Sequence, residues 1–360
     1  MKYKKSLSLF FSSLFLVLCL LFFWEVYVPK TFGYEQTIIY TANRGMGDED
    51  IARELKKQGI IKSSIFFKLY DIISGSHSKL QAGKYELSSS MSIAEIIKRF
   101  VLGDIVKDKI TIVEGWDLKD IAEYLETKKL YSQKDFLDLT SAKGKDWCQD
   151  QSTEISKKFS ARPSNQQIEC PGFEFLKDKP KNSSLEGYVF PDTYETFTDQ
   201  KPEELLKNIL VNFDKKLTDD LRKEISLQKK SIFEIVTMAS IIEKEVKSLD
   251  DKKIVSGILW KRLENKIPLQ VDATINYITG KNDARAAIKD TKIDSPYNTY
   301  KYIALPLGPI SNPGMDSILA VIYPTKSDYW YYLSADGNGK TIFSKTLDEH
   351  NIAKANYLKP

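Results

Sequence analysis

SIFEIVTMASIIEKEVK, residues 231–247, is the stretch from which the rest of the chain is best read. Ile232, Ile235, Val236, Ala239, Ile242 and Val246 recur at helical spacing and predict one amphipathic helix. Ser231 is a suitable N-cap, and Glu234 three residues on completes a capping box. Glu243 lies seven residues after Val236, four after Ala239 and three before Val246, so the helical phase turns its carboxyl onto the apolar face. Glu245, ~200° further around the same helix, is expected to face solvent. Desolvation makes a carboxyl hold its proton more tightly, and a carboxylic acid still protonated near neutral pH is what cleavage of a glycosidic bond requires. Periodicity equally allows a structural alternative, in which Glu243 pairs with Lys244, Arg262 or another cation.

Downstream, residues 250–265 form a second amphipathic pattern with Ile254, Ile258, Leu259 and Leu263 on one side, ending before Pro268. Gln270, Asp272 and Thr274 alternate with Leu269, Val271 and Ala273, which would align three polar side chains in an extended segment. The alternative is a turn in which Asp272 caps a helix over 273–277. SPYNTY (295–300) and the Pro- and Gly-rich LPLGPISNPG (305–314) predict stiff loops bearing hydroxyls and amides, as a sugar-binding cleft needs. Upstream, LEGYVFPDTY (185–194) packs three aromatics and two carboxylates around a Gly and a Pro, and an amphipathic helix is expected over 202–213. His350 sits beside Glu349 on a C-terminal helical stretch and reads as a packing residue.

The whole chain has 360 residues, enough for two or three folded units. Lys plus Arg number 53 against 49 Asp plus Glu, a balance unlike that of a dedicated nucleic-acid binder. A hydrophobic share of 42% excludes both a disordered chain and a multi-span membrane protein. Two histidines and three cysteines leave few ligands for a structural zinc site, so neither a metal nor a cofactor is expected. Without G-x-x-x-x-G-K, H-E-x-x-H or G-x-S-x-G, ATPase, zinc-protease and serine-hydrolase readings lack a carrier.

Lys2, Lys4 and Lys5 precede an apolar run from Leu7 to Trp24. Its length of ~27 Å matches one transmembrane span. The exit, Trp24-Glu25-Val26-Tyr27, lacks the small residues of a signal-peptide cleavage site, which predicts a retained anchor over 1–29. The flanking lysines place later residues outside the cytoplasm. In that oxidising compartment Cys148 and Cys170 can bridge, the alternative being two unpaired buried thiols. Both lie in a polar stretch, 141–184, read as an insertion stapled at its base. Between anchor and insertion, residues 36–135 alternate short strands and helices, and DIARELK (50–56) is echoed by DIAEYLE (120–126), each preceded by a strand and a glycine.

Five ordered motifs carry a family resemblance: LEGYVFPDTYE (185–195), ASIIEKEV (239–246), PLQVDATINY (268–277), SPYNTY (295–300) and LPLGPISNPG (305–314), with Ala335-Asp336-Gly337 and FSKTLDEHN (343–351) following. The chain resembles the MltG (YceG-like) family of endolytic murein transglycosylases, membrane-anchored enzymes that cut peptidoglycan glycan strands. Only 141–184 departs from the pattern. The resemblance implies a mixed α+β fold: an N-terminal transmembrane helix, a small LysM-like α+β region at 36–135, and a mixed α/β catalytic domain at 185–360. It makes Glu243, which opens EKE, the catalytic residue of a carbon-oxygen lyase. Glu243 would protonate the oxygen between N-acetylmuramic acid and N-acetylglucosamine, then act as base on the muramic acid C6 hydroxyl, leaving a 1,6-anhydro end. Because the nucleophile belongs to the substrate, no second carboxylate is essential. Tyr188, Gln270, Asp272, Tyr297, Asn298 and Asn312 are the candidate substrate-binding residues. The expected location is the cytoplasmic (inner) membrane, single-pass, with the catalytic domain outside, acting on peptidoglycan and working beside cell-wall synthases.

Two other functions fit the same residues. A noncatalytic, membrane-anchored glycan-binding scaffold for synthases would be indifferent to Glu243→Gln. A hydrolase would keep Glu243 as acid and direct water with Asp192, Glu195 or Asp272, giving reducing ends.

Overall fold

The computed structural model describes residues 2–33, 37–43, 45–149, 172–197, 200–281, 285–335 and 340–358. The fold is mixed α+β, mostly helical with small two-stranded sheets. It divides into two compact units, Met1–Lys109 with Glu195–Gln200, and Ile110–Tyr194 with Lys201–Pro360.

The first unit begins with α1 (Lys2–Tyr27), whose Phe10–Tyr27 segment is long and apolar enough to cross a membrane. Then come β1 (Ile38–Ala42), α2 (Asp48–Lys57), α3 (Ser64–Ile73), β2 (Gly83–Leu87) and α4 (Ile93–Leu102). β1 and β2 pair antiparallel with Tyr40 opposite Tyr85, and both rings pack on Phe100 at centroid distances of 5.9 and 4.3 Å. Ser92 and Glu95 form a capping box at the start of α4. Gly103, in the left-handed region, ends it.

The second unit's elements are α5 (Leu118–Thr127), α6 (Gln133–Thr140), α7 (Pro202–Lys216), α8 (Asp219–Leu227), α9 (Ile232–Glu245), α10 (Leu249–Glu264), α11 (Asp272–Thr279), α12 (Met315–Ile322), β5 (Tyr331–Ser334), β6 (Thr341–Ser344) and α13 (Leu347–Tyr357). β3 (Asp108–Thr111) pairs with β4 (Thr193–Thr196), and the division between the units falls within these two strands. β5 pairs antiparallel with β6.

The echo at 50–56 and 120–126 has a structural counterpart. α2 and α5 each have ten residues, each follows a strand, and they bury equivalent side chains: Ile51, Ala52 and Leu55 in one, Ile121, Ala122 and Leu125 in the other. The order strand, helix, helix, strand thus occurs as β1-α2-α3-β2 and as β3-α5-α6-β4, the second with a long excursion before its closing strand. The apolar residues of 110–135, grouped with the first module from sequence, lie in the core of the second.

The flanks of the 141–184 stretch are less polar in structure than its composition suggests, because Trp147, Phe173, Phe175 and Leu176 are buried in the second core. Cys148 is disulfide-bonded and Cys19 is free, while Cys170 lies outside the described residues, as do Asp336 and Gly337.

Candidate active site

The site is built on α9. Its capping box forms as the sequence predicts: the Ser231 hydroxyl accepts from the Glu234 amide at 3.1 Å, and the Glu234 carboxylate accepts from the Ser231 amide at 2.7 Å. Nine of its residues between Ile232 and Ile242 are buried, which makes the helix a rigid central post. Val246 is extended and ends the helix, and Ser248 caps α10 by accepting from the Asp251 amide. This tight turn brings Lys252 back alongside Glu243.

Glu243 does face inward. Lys252 Nζ donates to its Oε1 at 2.9 Å, and the two side chains are only 4% and 8% exposed. Oε2 accepts from the Gly314 amide at 2.9 Å and from the Ser317 hydroxyl at 2.7 Å. Three donors therefore hold one carboxylate in a single orientation. The inward phase and the cation pairing, posed as alternatives from sequence, occur together. The cation is Lys252, since Lys244 donates to the Gly115 carbonyl and Arg262 to the carbonyls of Pro268 and Trp330.

The loop at 305–314 is pinned to α9 before it reaches the carboxylate. The Ile310 amide donates to the Ser240 hydroxyl at 3.0 Å, and the Ser311 hydroxyl donates to the Ser240 carbonyl at 3.1 Å. Asn312 then ties three segments together. Its Nδ2 donates to the Trp116 carbonyl and to Glu186 Oε1, and its Oδ1 accepts from the Val189 amide. Gly314 follows, and a Cβ there would overlap the Glu114 carboxylate, so any larger residue would make the Glu114 side chain move.

Glu114 and Lys252 are site residues that sequence reading missed. Burial, with the neighbouring Glu243 charge, raises the Glu114 carboxyl above the ordinary carboxylate range, against the opposing pull of Lys252. Lys252 carried a readable signal, lying three residues before Val255 and seven before Leu259, in phase with the buried face of α10. Nothing local marks Glu114, which reaches the site because the Gly115 amide donates to the Asn312 carbonyl.

A second buried carboxyl, Glu186, accepts from Asn312 Nδ2 at 3.0 Å and the Leu118 amide at 3.2 Å. Burial pushes it up to about 8. A carboxyl raised this far above its ordinary value of roughly 4.3 contributes stability below that ordinary value, and the contribution is lost as pH rises through the folded value. Glu186→Gln, neutral throughout, is therefore expected to flatten the fall in Tm between about pH 5 and pH 8. Melting curves of both proteins across that range check this, and parallel pH profiles would refute it.

Glu245 corrects the expectation that it faces solvent. It is half-buried, its Oε2 accepts from the Tyr332 hydroxyl at 2.9 Å, and burial pushes the carboxyl up to about 7. The helical arithmetic was sound, but β5 covers that side of α9.

The six residues expected to bind substrate fall into two groups. Tyr188, Asn298 and Asn312 are buried framework. Tyr188 stacks on Phe175 and meets Phe213 edge-on, and Asn298 donates to the carbonyls of Thr291 and Ile293. Gln270, Asp272 and Tyr297 keep some exposure. Gln270 has left-handed backbone (φ 56°) and accepts from Arg262 Nη2 at 2.7 Å. Asp272 accepts from the Tyr300 hydroxyl at 2.6 Å, and Tyr297 packs on Tyr277. The extended reading of 269–274 does not hold, because α11 starts at Asp272 with Val271 as its N-cap. Of the candidate hydrolytic bases, Asp192 takes Asn212 Nδ2 and Lys216, and Glu195 pairs with Lys107. His350 is buried and stacked on Tyr331, a packing residue as expected.

A model of the YceG-like family matches residues 40–356. An endolytic murein transglycosylase of Bacillus subtilis is 36% identical over 312 residues, covering 86% of this chain and 81% of that protein. One from Streptococcus pneumoniae is 30% identical, and the match spans 86% of this chain but only 57% of the pneumococcal protein. The crystal structure of a YceG-like protein from Listeria monocytogenes superposes with a TM-score of 0.55 at 33% identity, covering 89% of this chain and all of that one. Matched in sequence from its first strand to its last helix, and in structure over most of its length, the chain belongs to the YceG-like family.

Proposed function

We propose that this protein is a membrane-anchored endolytic transglycosylase of peptidoglycan, cleaving the β-1,4 bond between N-acetylmuramic acid and N-acetylglucosamine to leave 1,6-anhydro ends and so limiting glycan-strand length. The observation that carries the proposal is Glu243, an inward carboxylate on the family's ASIIEKE motif held by Lys252, Gly314 and Ser317. To act as acid, Glu243 must hold a proton on one oxygen, and the Ser317 hydroxyl can rotate from donor to acceptor to allow it. Lys252 then remains to neutralise the carboxylate left after the proton moves to the leaving oxygen. As base, the same carboxylate takes the C6 hydroxyl proton while that oxygen closes on C1. Gln270, Asp272 and Tyr297 are the proposed sugar contacts, and Tyr188, Asn298 and Asn312 shape the loops behind them.

In this reading α1 is a single-pass anchor in the cytoplasmic membrane, with the remainder outside. The β1-α2-α3-β2 arrangement serves as a LysM-like glycan-binding module, and cell-wall synthases are partners. Mass spectrometry of ends formed from uncrosslinked glycan strands tests the chemistry, using the full chain in detergent. Anhydromuramic ends are the expected result. Reducing ends would replace the transglycosylase with a hydrolase, and binding without any new ends would replace it with a scaffold.

A further inference from the structure

Among the described residues, the first unit exposes an apolar helix face that nothing covers. On α3, Phe67 and Asp71 point into the core. Ile65, Leu69, Ile72 and Ile73 are 74, 42, 62 and 64% exposed. At 100° per residue these four fall within an arc of ~100°, a continuous stripe along the helix. An unbroken exposed stripe of this kind marks an interaction surface rather than scattered surface hydrophobicity.

What lies next to the stripe names its occupant. Phe66 and Tyr70 border it, and they pack on the outer end of α1: Phe66 on Phe22 at 6.2 Å and Tyr70 edge-on to Tyr27 at 5.8 Å. Val26 of α1 is fully buried. Because Phe22 pairs with Phe66 and Tyr27 with Tyr70, the two helices run side by side in the same direction over this contact. The stripe therefore continues the exposed apolar surface of α1, where Phe15, Leu18, Leu21 and Phe23 also point outward. Lys62 Nζ sits 5.0 Å over the Trp24 ring, and Lys30 Nζ donates to the Gly59 carbonyl, so cations and an indole cluster at this level. Such a combination suits the headgroup layer of a bilayer.

We infer that α3 is a second membrane contact, lying beside the anchor with Ile65, Leu69, Ile72 and Ile73 in the outer leaflet of the same bilayer. It runs alongside the outer end of α1 and, at ten residues, is too short to cross the membrane. The inference rests on the proposed role of α1 as an anchor. Its effect is to give the first unit a membrane contact of its own beside the anchor.

The test uses the full chain in vesicles of phosphatidylethanolamine and phosphatidylglycerol, in a Cys19→Ser background that leaves Cys148 in its disulfide. Single spin labels are placed at Ile65→Cys and Ile72→Cys, with Val17→Cys as the reference within the span and Lys57→Cys as the exposed reference on α2. Collision rates with oxygen and with a water-soluble nickel chelate are then compared. Labels at 65 and 72 are expected to favour oxygen over nickel, as the label at 17 does, and the label at 57 to show the reverse. Nickel-dominated collisions at 65 and 72 with an oxygen-dominated label at 17 would overturn the α3 contact and leave the anchor standing. Nickel-dominated collisions at all four would remove the anchor as well. Low collision rates with both reagents at 65 and 72, with spin–spin broadening, would assign the stripe to a second copy of the chain and overturn the bilayer as its occupant.

Discussion

Glu243→Gln is expected to slow the formation of new glycan ends by roughly 10²–10⁴-fold, the usual contribution of a positioned acid or base. Glutamine matches the carboxylate in size, and its carbonyl can still accept from the Gly314 amide and the Ser317 hydroxyl. It cannot deliver a proton to the leaving oxygen, nor recover one from an attacking hydroxyl. Its amide would also point hydrogens at Lys252 Nζ, so some loss of stability accompanies the loss of rate. Rate and Tm should be measured on the same preparation, at a temperature where both proteins are folded. A variant rate within tenfold of the parent would remove Glu243 from the chemistry and place the acid and base on another residue.

Lys252→Met is expected to cost stability even though methionine fills nearly the same space. Removing one partner of a buried ion pair leaves the other uncompensated, typically at 3–5 kcal/mol. Glu243 keeps two donors here, which argues for the lower end, about 3 kcal/mol, or roughly 6–12 °C in Tm for a unit of this size. The informative comparison is the double variant Glu243→Gln with Lys252→Met, which removes both charges and should regain most of the loss. Thermal denaturation of the parent, both single variants and the double supplies the cycle. An unchanged Tm for Lys252→Met would mean that the pair is open to water and that Glu243 is not held by it.

Much of the site's scaffold was legible because it is local. The capping box of Ser231 and Glu234, the length of α9 and the inward phase of Glu243 depend on residues within one or two turns of each other. The same local reasoning placed a helix after Ser248 but missed that Lys252 lies on its buried face. Glu245 was misplaced because a helical wheel treats every neighbour as solvent, whereas Tyr332 comes from a strand far along the chain. The 269–274 stretch satisfied both a strand pattern and a helix start. The outcome turned on Thr299, whose carbonyl accepts from the Gln270 amide and whose hydroxyl accepts from the Val271 amide. Glu114 had no local signal, since it meets the site through a loop two hundred residues later, where the Gly115 amide donates to the Asn312 carbonyl.

That spread of partners along the chain bears on when the enzyme can become active. Lys252 is nine residues from Glu243, but Gly314 and Ser317 are 71 and 74 away, and the Lys244 contact with Gly115 spans 129. Loops that long close late, after local helices have formed. A chain that emerges N-terminus first can offer Glu243 only Lys252 among these partners until residue 317 has followed. The site is thus assembled by the last fifth of the protein, and an interrupted or truncated chain would have the glutamate but no organised site around it.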